Sequence, residues 1–147
     1  MKIALGSDHK GFAFKSLIKT RLMAQGHDVV DFGANSEESS DFADFAFLTA
    51  QAVSNNQADR GILVCWTGNG MAIAANKVHG IRAGLAFNSE MAELTRAHND
   101  ANVLVLSGKY TPQVQITEIV DKFLATEFEG GRHQRRIDKI RKYEDED

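Results

Sequence analysis

The stretch Val64–Gly70, VCWTGNG, sets the chain's one cysteine and one tryptophan directly before a glycine-spaced turn. A thiol there could serve as a base, because backbone N–H groups and the start of a following helix stabilise a thiolate and lower its pKa. The same arrangement suits an anion: glycines let N–H groups turn toward a ligand, and a helix start adds positive potential. TGNG, Thr67–Gly70, reads either as an oxyanion or phosphate cradle or as a tight strand-to-helix turn. As a dinucleotide fingerprint it fails, with Ile73 at the third glycine position, and no Lys-Ser or Lys-Thr pair completes a Walker A loop. Cys65 likewise has two readings, a base or a small buried hydrophobe.

Asp8 and His9 follow the first apolar run, and His98 opens the triplet HND, His98–Asp100. Taken singly, each histidine fits a capping or surface role. His27 and His79 sit beside Gly26 and Gly80 and read as turn residues, and His133 reads as part of the solvated face of GRHQRR. Arg132, Arg135 and Arg136 could grip a phosphate, since guanidinium groups bind its oxygens in pairs. At helical spacing Arg132 and Arg136 share a face and Arg135 points partly elsewhere. The competing reading is an exposed basic helix.

These groups need a scaffold, and the apolar pattern supplies one. Strands are predicted at Lys2–Asp8, Asp28–Gly33, Gly61–Trp66, Ile81–Phe87 and Ala101–Gly108. Helical spacing is predicted at Phe12–Gln25, Ala43–Val53, Met71–Lys77, Glu90–Ala97, Gln113–Thr126 and Arg132–Tyr143. Strands alternate with helices, and the strands are continuous apolar runs, which favours a parallel sheet covered on both faces. The expectation is an α/β fold: a Rossmann-like (flavodoxin-like) three-layer sandwich with a five-stranded parallel sheet, in an order such as 2-1-3-4-5. Ligands of such sheets bind beyond the carboxyl ends of the strands, where Asp8, His9, Cys65–Gly70 and Asn88 fall.

Composition narrows the field. The 147 residues suit one domain, 1–147, with a C-terminal helix at about 130–143 and a solvated acidic tail, Glu144–Asp147. A net charge of −3 argues against a general nucleic-acid surface, while leaving room for a local anion site. One cysteine cannot make an intramolecular disulfide, and MKIALGSDHK shows no signal-peptide pattern, so the expected compartment is the cytoplasm. No apolar run reaches the length of a membrane span.

Taken together the segments resemble the family of ribose-5-phosphate isomerase B and the galactose-6-phosphate isomerase subunits. The matching pieces are GSDHKGF (Gly6–Phe12), DFG (Asp31–Gly33), SSDFADFA (Ser39–Ala46), Gly61–Ala83 with its TGNG and AANK, RAHNDANVL (Arg96–Leu104) and EGGRHQRRI (Glu129–Ile137). The resemblance implies an aldose-ketose isomerase of sugar phosphates that needs no metal and no organic cofactor. It also implies a homodimer, possibly paired into a tetramer, with active sites shared between chains. Ribose 5-phosphate to ribulose 5-phosphate is the first expectation. Allose 6-phosphate, galactose 6-phosphate, a tetrose phosphate, or a non-catalytic sugar-phosphate-binding subunit are the alternatives.

Carried onto this chain, the resemblance makes Cys65 the base that moves a proton between C1 and C2. Thr67 would shift protons between O1 and O2, and Gly68, Asn69 and Gly70 would complete an anion hole. His98 would assist ring opening with Asp8 nearby, and Asn99 would bind hydroxyls; His98 and Asn99 would come from the partner subunit. His9, Arg132 and Arg136 would bind the phosphate. Four departures stand out. Trp66 replaces a usual glycine, Phe42 a common tyrosine, Ala43 a common proline, and SGK (Ser107–Lys109) a glycine-serine-arginine run. Lys109 keeps the charge but loses bidentate geometry, and both Trp66 and Lys109 are expected beside the substrate. Some relatives take a carboxylate base from the position of Met71, which methionine cannot supply.

Overall fold

The computed structural model describes residues 1–146. Five strands, β1 (Lys2–Ser7), β2 (Asp28–Asp31), β3 (Arg60–Cys65), β4 (Ala83–Leu85) and β5 (Val103–Ser107), form one sheet in which every pairing is parallel. Six helices flank them: α1 (Phe12–Ala24), α2 (Phe42–Ser54), α3 (Asn69–Ala75), α4 (Ser89–Asn99), α5 (Gln113–Ala125) and α6 (Arg132–Asp145). A single 3-10 turn, His9–Gly11, joins β1 to α1.

The sheet divides the core in two because successive strand side chains face opposite ways. Ile3, Leu5, Ile62, Val64, Leu104 and Leu106 meet α1 and α5 through Ile18, Leu22, Ile116, Ile119 and Phe123. Ala4, Leu63, Cys65, Val103 and Val105 meet α2 and α3 through Ala46, Ala50, Val53, Met71 and Ala75. Full burial of each large aliphatic side chain contributes roughly 1.5–3 kcal/mol. The architecture matches the three-layer α/β expectation.

The order is β2-β1-β3-β5-β4, which corrects the expected sequence of the last two strands. Burial explains it. The five residues of β5 are all fully buried, whereas β4 has shrunk to three half-buried residues. The more apolar, longer run takes the interior slot and the short run closes the edge. The tail is also corrected in part. Helix α6 runs on through Asp145, and Glu144 Oε1 accepts from Gly80 N at 3.0 Å; Asp147 lies outside the described residues.

A strap continues the β1–β2 ladder beyond its strands. Ser7 N–H donates to Gly33 O at 2.7 Å and Ala34 N–H to Ser7 O at 2.6 Å. Lys15, 1% exposed, locks this strap to α1. Its ammonium donates to Asp31 Oδ1 at 2.6 Å and to Ala34 O. Burial alone would raise the Asp31 carboxyl, but hydrogen bonds from Lys15, Gly33 N–H and Lys19 outweigh it and hold the group below its ordinary range. Asp8 and His9 start from this anchored end.

Candidate active site

The carboxyl edge of the sheet gathers the first set of predicted residues. Cys65 ends β3 and is 4% exposed. Gly68 N–H donates to its Sγ at 3.2 Å. Gly68 has φ 92, a conformation that suits glycine, and a Cβ there would strike Leu85. Helix α3 begins at Asn69, two residues earlier than the apolar pattern suggests, so Asn69 and Gly70 form its first turn. Thr67 Oγ1 accepts from Asn69 N at 3.3 Å. A Cβ on Gly70 would come 2.9 Å from the Phe42 ring, so this aromatic packs closely against the loop.

Those N–H groups lower the Cys65 thiol pKa as expected, yet the net shift is upward. Burial pushes it up; the N–H groups of Met71, Gly68 and Thr67 oppose that push, and the Asp8 charge adds to it. Removal from water outweighs three favourable dipoles because the thiolate bears a full charge.

Asp8 is buried beside it, with Oδ1 accepting from Gly11 N at 3.0 Å and capping the 3-10 turn. His9, half-buried, is tied to Ser40 by a reciprocal pair of contacts: His9 N to Ser40 Oγ and Ser40 N to His9 Nδ1, each 3.1 Å. Trp66 is exposed, and two cations sit over its indole: Lys10 Nζ at 4.9 Å and Lys109 Nζ at 5.8 Å from the ring centre. Its backbone oxygen is fixed by Lys109 N at 2.9 Å and Ser107 Oγ at 2.8 Å.

The second set lies at the other edge. In a βαβ unit the helix runs back against the strands, so α4 ends where β5 begins. Asn99 O accepts from Arg82 Nε at 3.1 Å, and Arg82 directly precedes β4. Val103, at the start of β5, pairs with Ala83 and Gly61, while Cys65 pairs with Ser107 at the far end. Four residues of β3 separate the two edges, about 13 Å at strand rise. His98 and Asn99 thus cannot meet Cys65 of their own chain.

His98 is half-buried and stacks on His133, with ring centres 4.4 Å apart and planes 10° from parallel. His133 is 6% exposed, which corrects its reading as a solvated residue. It shares a helix face with buried Ile137, and that i,i+4 pairing was the available signal. Glu129 Oε2 lies 3.4 Å from His133 Nε2 and 4.0 Å from His98 Nε2, and the buried His133 Nε2 makes no hydrogen bond among the described residues. Burial pushes the His133 imidazole pKa down, helped by the charges of His98 and Arg132. The three possible ligand atoms lie within 4.8 Å of one another. Parallel stacked rings, however, direct their lone pairs side by side instead of onto one point, so a metal would require the rings to rotate. Arg132 and Arg136 extend exposed from the start of α6 beside this pair.

A family model described as Ribose/Galactose Isomerase matches residues 3–140. The chain belongs to that family. Ribose-5-phosphate isomerase B of Escherichia coli K12 is 43% identical over 139 residues, which cover 95% of this chain and 93% of the relative. The structure of Clostridium thermocellum ribose-5-phosphate isomerase B superposes with a TM-score of 0.98 at 46% identity, covering 99% of both chains. Ribose-5-phosphate isomerase B of Mycoplasma genitalium, crystallised with bound ribulose 5-phosphate, gives a TM-score of 0.95 at 47% identity, covering 99% of this chain and 97% of that one.

Proposed function

We propose that this protein is an aldose-ketose isomerase of sugar phosphates whose substrate pair is ribose 5-phosphate and ribulose 5-phosphate. The observation that carries this reading is the near-superposition on the Mycoplasma genitalium enzyme that holds ribulose 5-phosphate. The opposed placement of the two residue sets supports a homodimer, because only a second chain can bring His98, Asn99, Arg132 and Arg136 to Cys65. No described helix is long and apolar enough to cross a membrane. The proposed setting is the cytoplasm, where a lone catalytic thiol stays reduced.

In this reading the chain folds as one domain around the sheet. His98 of the partner subunit and Asp8 move the protons that open the sugar ring. His9 and the partner subunit's Arg132 and Arg136 hold the phosphate, so the open chain is positioned before chemistry begins. Cys65, as the thiolate, takes the proton from C2 of the aldose, and the electrons move onto O1. The N–H groups of the TGNG loop stabilise that enediolate as charge develops. Thr67 passes the proton between O2 and O1, and Cys65 returns its proton to C1, leaving the carbonyl at C2. Atoms and electrons balance within the sugar, so the scheme calls for no redox partner. Asn99 of the partner binds hydroxyls, and Lys109 and Trp66 border the substrate.

A second reading keeps the chemistry and changes the sugar. It rests on Trp66, next to Cys65 in the chain, whose exposed indole lies under two lysines. A coupled assay of kcat/KM over ribose 5-phosphate, allose 6-phosphate, galactose 6-phosphate and tetrose phosphates decides between them. Ribose 5-phosphate is expected to lead. A preference for another sugar replaces it, and binding without turnover on any of them points to a non-catalytic subunit.

A further inference from the structure

We propose that Ser40 is a positioning residue that holds His9 as its Nε2–H tautomer, so that the imidazole presents an N–H donor to the substrate phosphate. This deepens the preceding reading and rests on its placement of His9 at the phosphate. The argument starts from the direction of one hydrogen bond. A backbone amide N–H can only donate, and that of Ser40 reaches His9 Nδ1 at 3.1 Å. Nδ1 must therefore offer its lone pair there, and the ring proton of the neutral imidazole is left on Nε2.

The reverse contact fixes the frame. His9 N–H donates to Ser40 Oγ at 3.1 Å, so the residue is held through both backbone and ring. Sequence separation shows that this is a tie across the fold and not a local turn: the partners are 31 residues apart. Ser40 closes the exposed segment Asn35–Ser39 and stands just before α2, whose first residue, Phe42, covers Gly70. One short segment thus touches both the proposed phosphate ligand and the proposed anion hole. The tautomer matters because a phosphate dianion has only acceptor oxygens. An Nε2–H meets it with a hydrogen bond, whereas the other tautomer would meet it with a lone pair.

Two measurements test the proposal. The 15N shifts of the His9 ring in the free protein should show a proton-bearing Nε2 and an unprotonated Nδ1. A proton on Nδ1, or averaged shifts, overturns it. Calorimetric binding of inorganic phosphate gives the second readout. Ser40→Pro removes both the N–H and the hydroxyl and should weaken binding about tenfold, the scale of one charge-assisted hydrogen bond. In a His9→Ala background the same substitution should change nothing, and an equal loss in both backgrounds overturns the proposal. Ser40→Ala, which keeps the N–H, should keep the tautomer. If Ser40→Pro does not fold, the wild-type shifts decide alone. A chain that turns over no sugar phosphate yet shows these shifts would sink the isomerase reading and leave the tautomer assignment standing.

Discussion

Cys65 and His98 are held in unlike ways. Cys65 ends a central strand, buried on one face against Met71, with main-chain N–H groups around its sulfur. Its surroundings are backbone, strand and a short helix, and little there can move without breaking the β3–β5 ladder. His98 ends an outer helix, and its neighbours are side chains: a stacked imidazole and a carboxylate 4.0 Å away. The carboxyl edge of the sheet is therefore preorganised by the fold itself, which suits a group that must meet a reacting carbon in fixed geometry. The opposite edge presents its groups outward on helix ends, which suits delivery into another chain's site.

The sharpest way to break this contrast is to remove the buried half. Cys65→Ala should lower kcat by about 10³-fold or more, the scale of a lost general base, with the circular dichroism spectrum kept. Near-normal turnover would remove Cys65 from the mechanism. Losing the outward half should cost less: His98→Asn is expected to reduce kcat about 10²-fold. Co-expressing these two variants then tests the sharing directly. Mixed dimers hold one doubly damaged and one intact site, so about a quarter of wild-type activity should return. No recovery would mean that each chain completes its own site.

A smaller effect is expected at the basic helix. Arg136→Ala should raise KM about tenfold with kcat nearly kept, because it removes charge-assisted bonds distant from the reacting carbons. The smallest concerns pH. Burial depresses the His133 imidazole, so the unfolded chain takes up a proton that the folded chain resists. Its contribution to stability is present above the ordinary imidazole pKa of about 6.5 and is lost as pH falls below it. Thermal melts should show wild type losing Tm more steeply than His133→Asn over that acidic range. Parallel curves would show that His133 does not titrate between the two states.

Much of the scaffold was legible because continuous apolar runs alternate with segments of helical spacing. The runs KIALGS, RGILVC and VLVLS have one physical use, the interior of a parallel sheet. The order of β4 and β5 was not legible, since it depends on which of two apolar runs gives more burial. At the site, residue types near Cys65 marked the carboxyl edge without help. The distance of His98 from that edge follows from helix direction alone, whereas the role proposed for it rests on the family resemblance. The dipoles that favour the thiolate can be read from spacing, whereas the burial that outweighs them cannot. Ser40 fell within the matching segment SSDFADFA, yet nothing there pointed to His9, for the tie between them spans the fold.

The backbone around Trp66 has a wider consequence. Ser107 Oγ and Lys109 N–H both grip its carbonyl, while Gly108 N–H grips that of Cys65. The main chain at this position is therefore pinned by hydrogen bonds that involve only its backbone carbonyl. An indole can stand where glycine is usual without displacing the sulfur next to it. Such a position can change its side chain while the backbone beside Cys65 keeps its place.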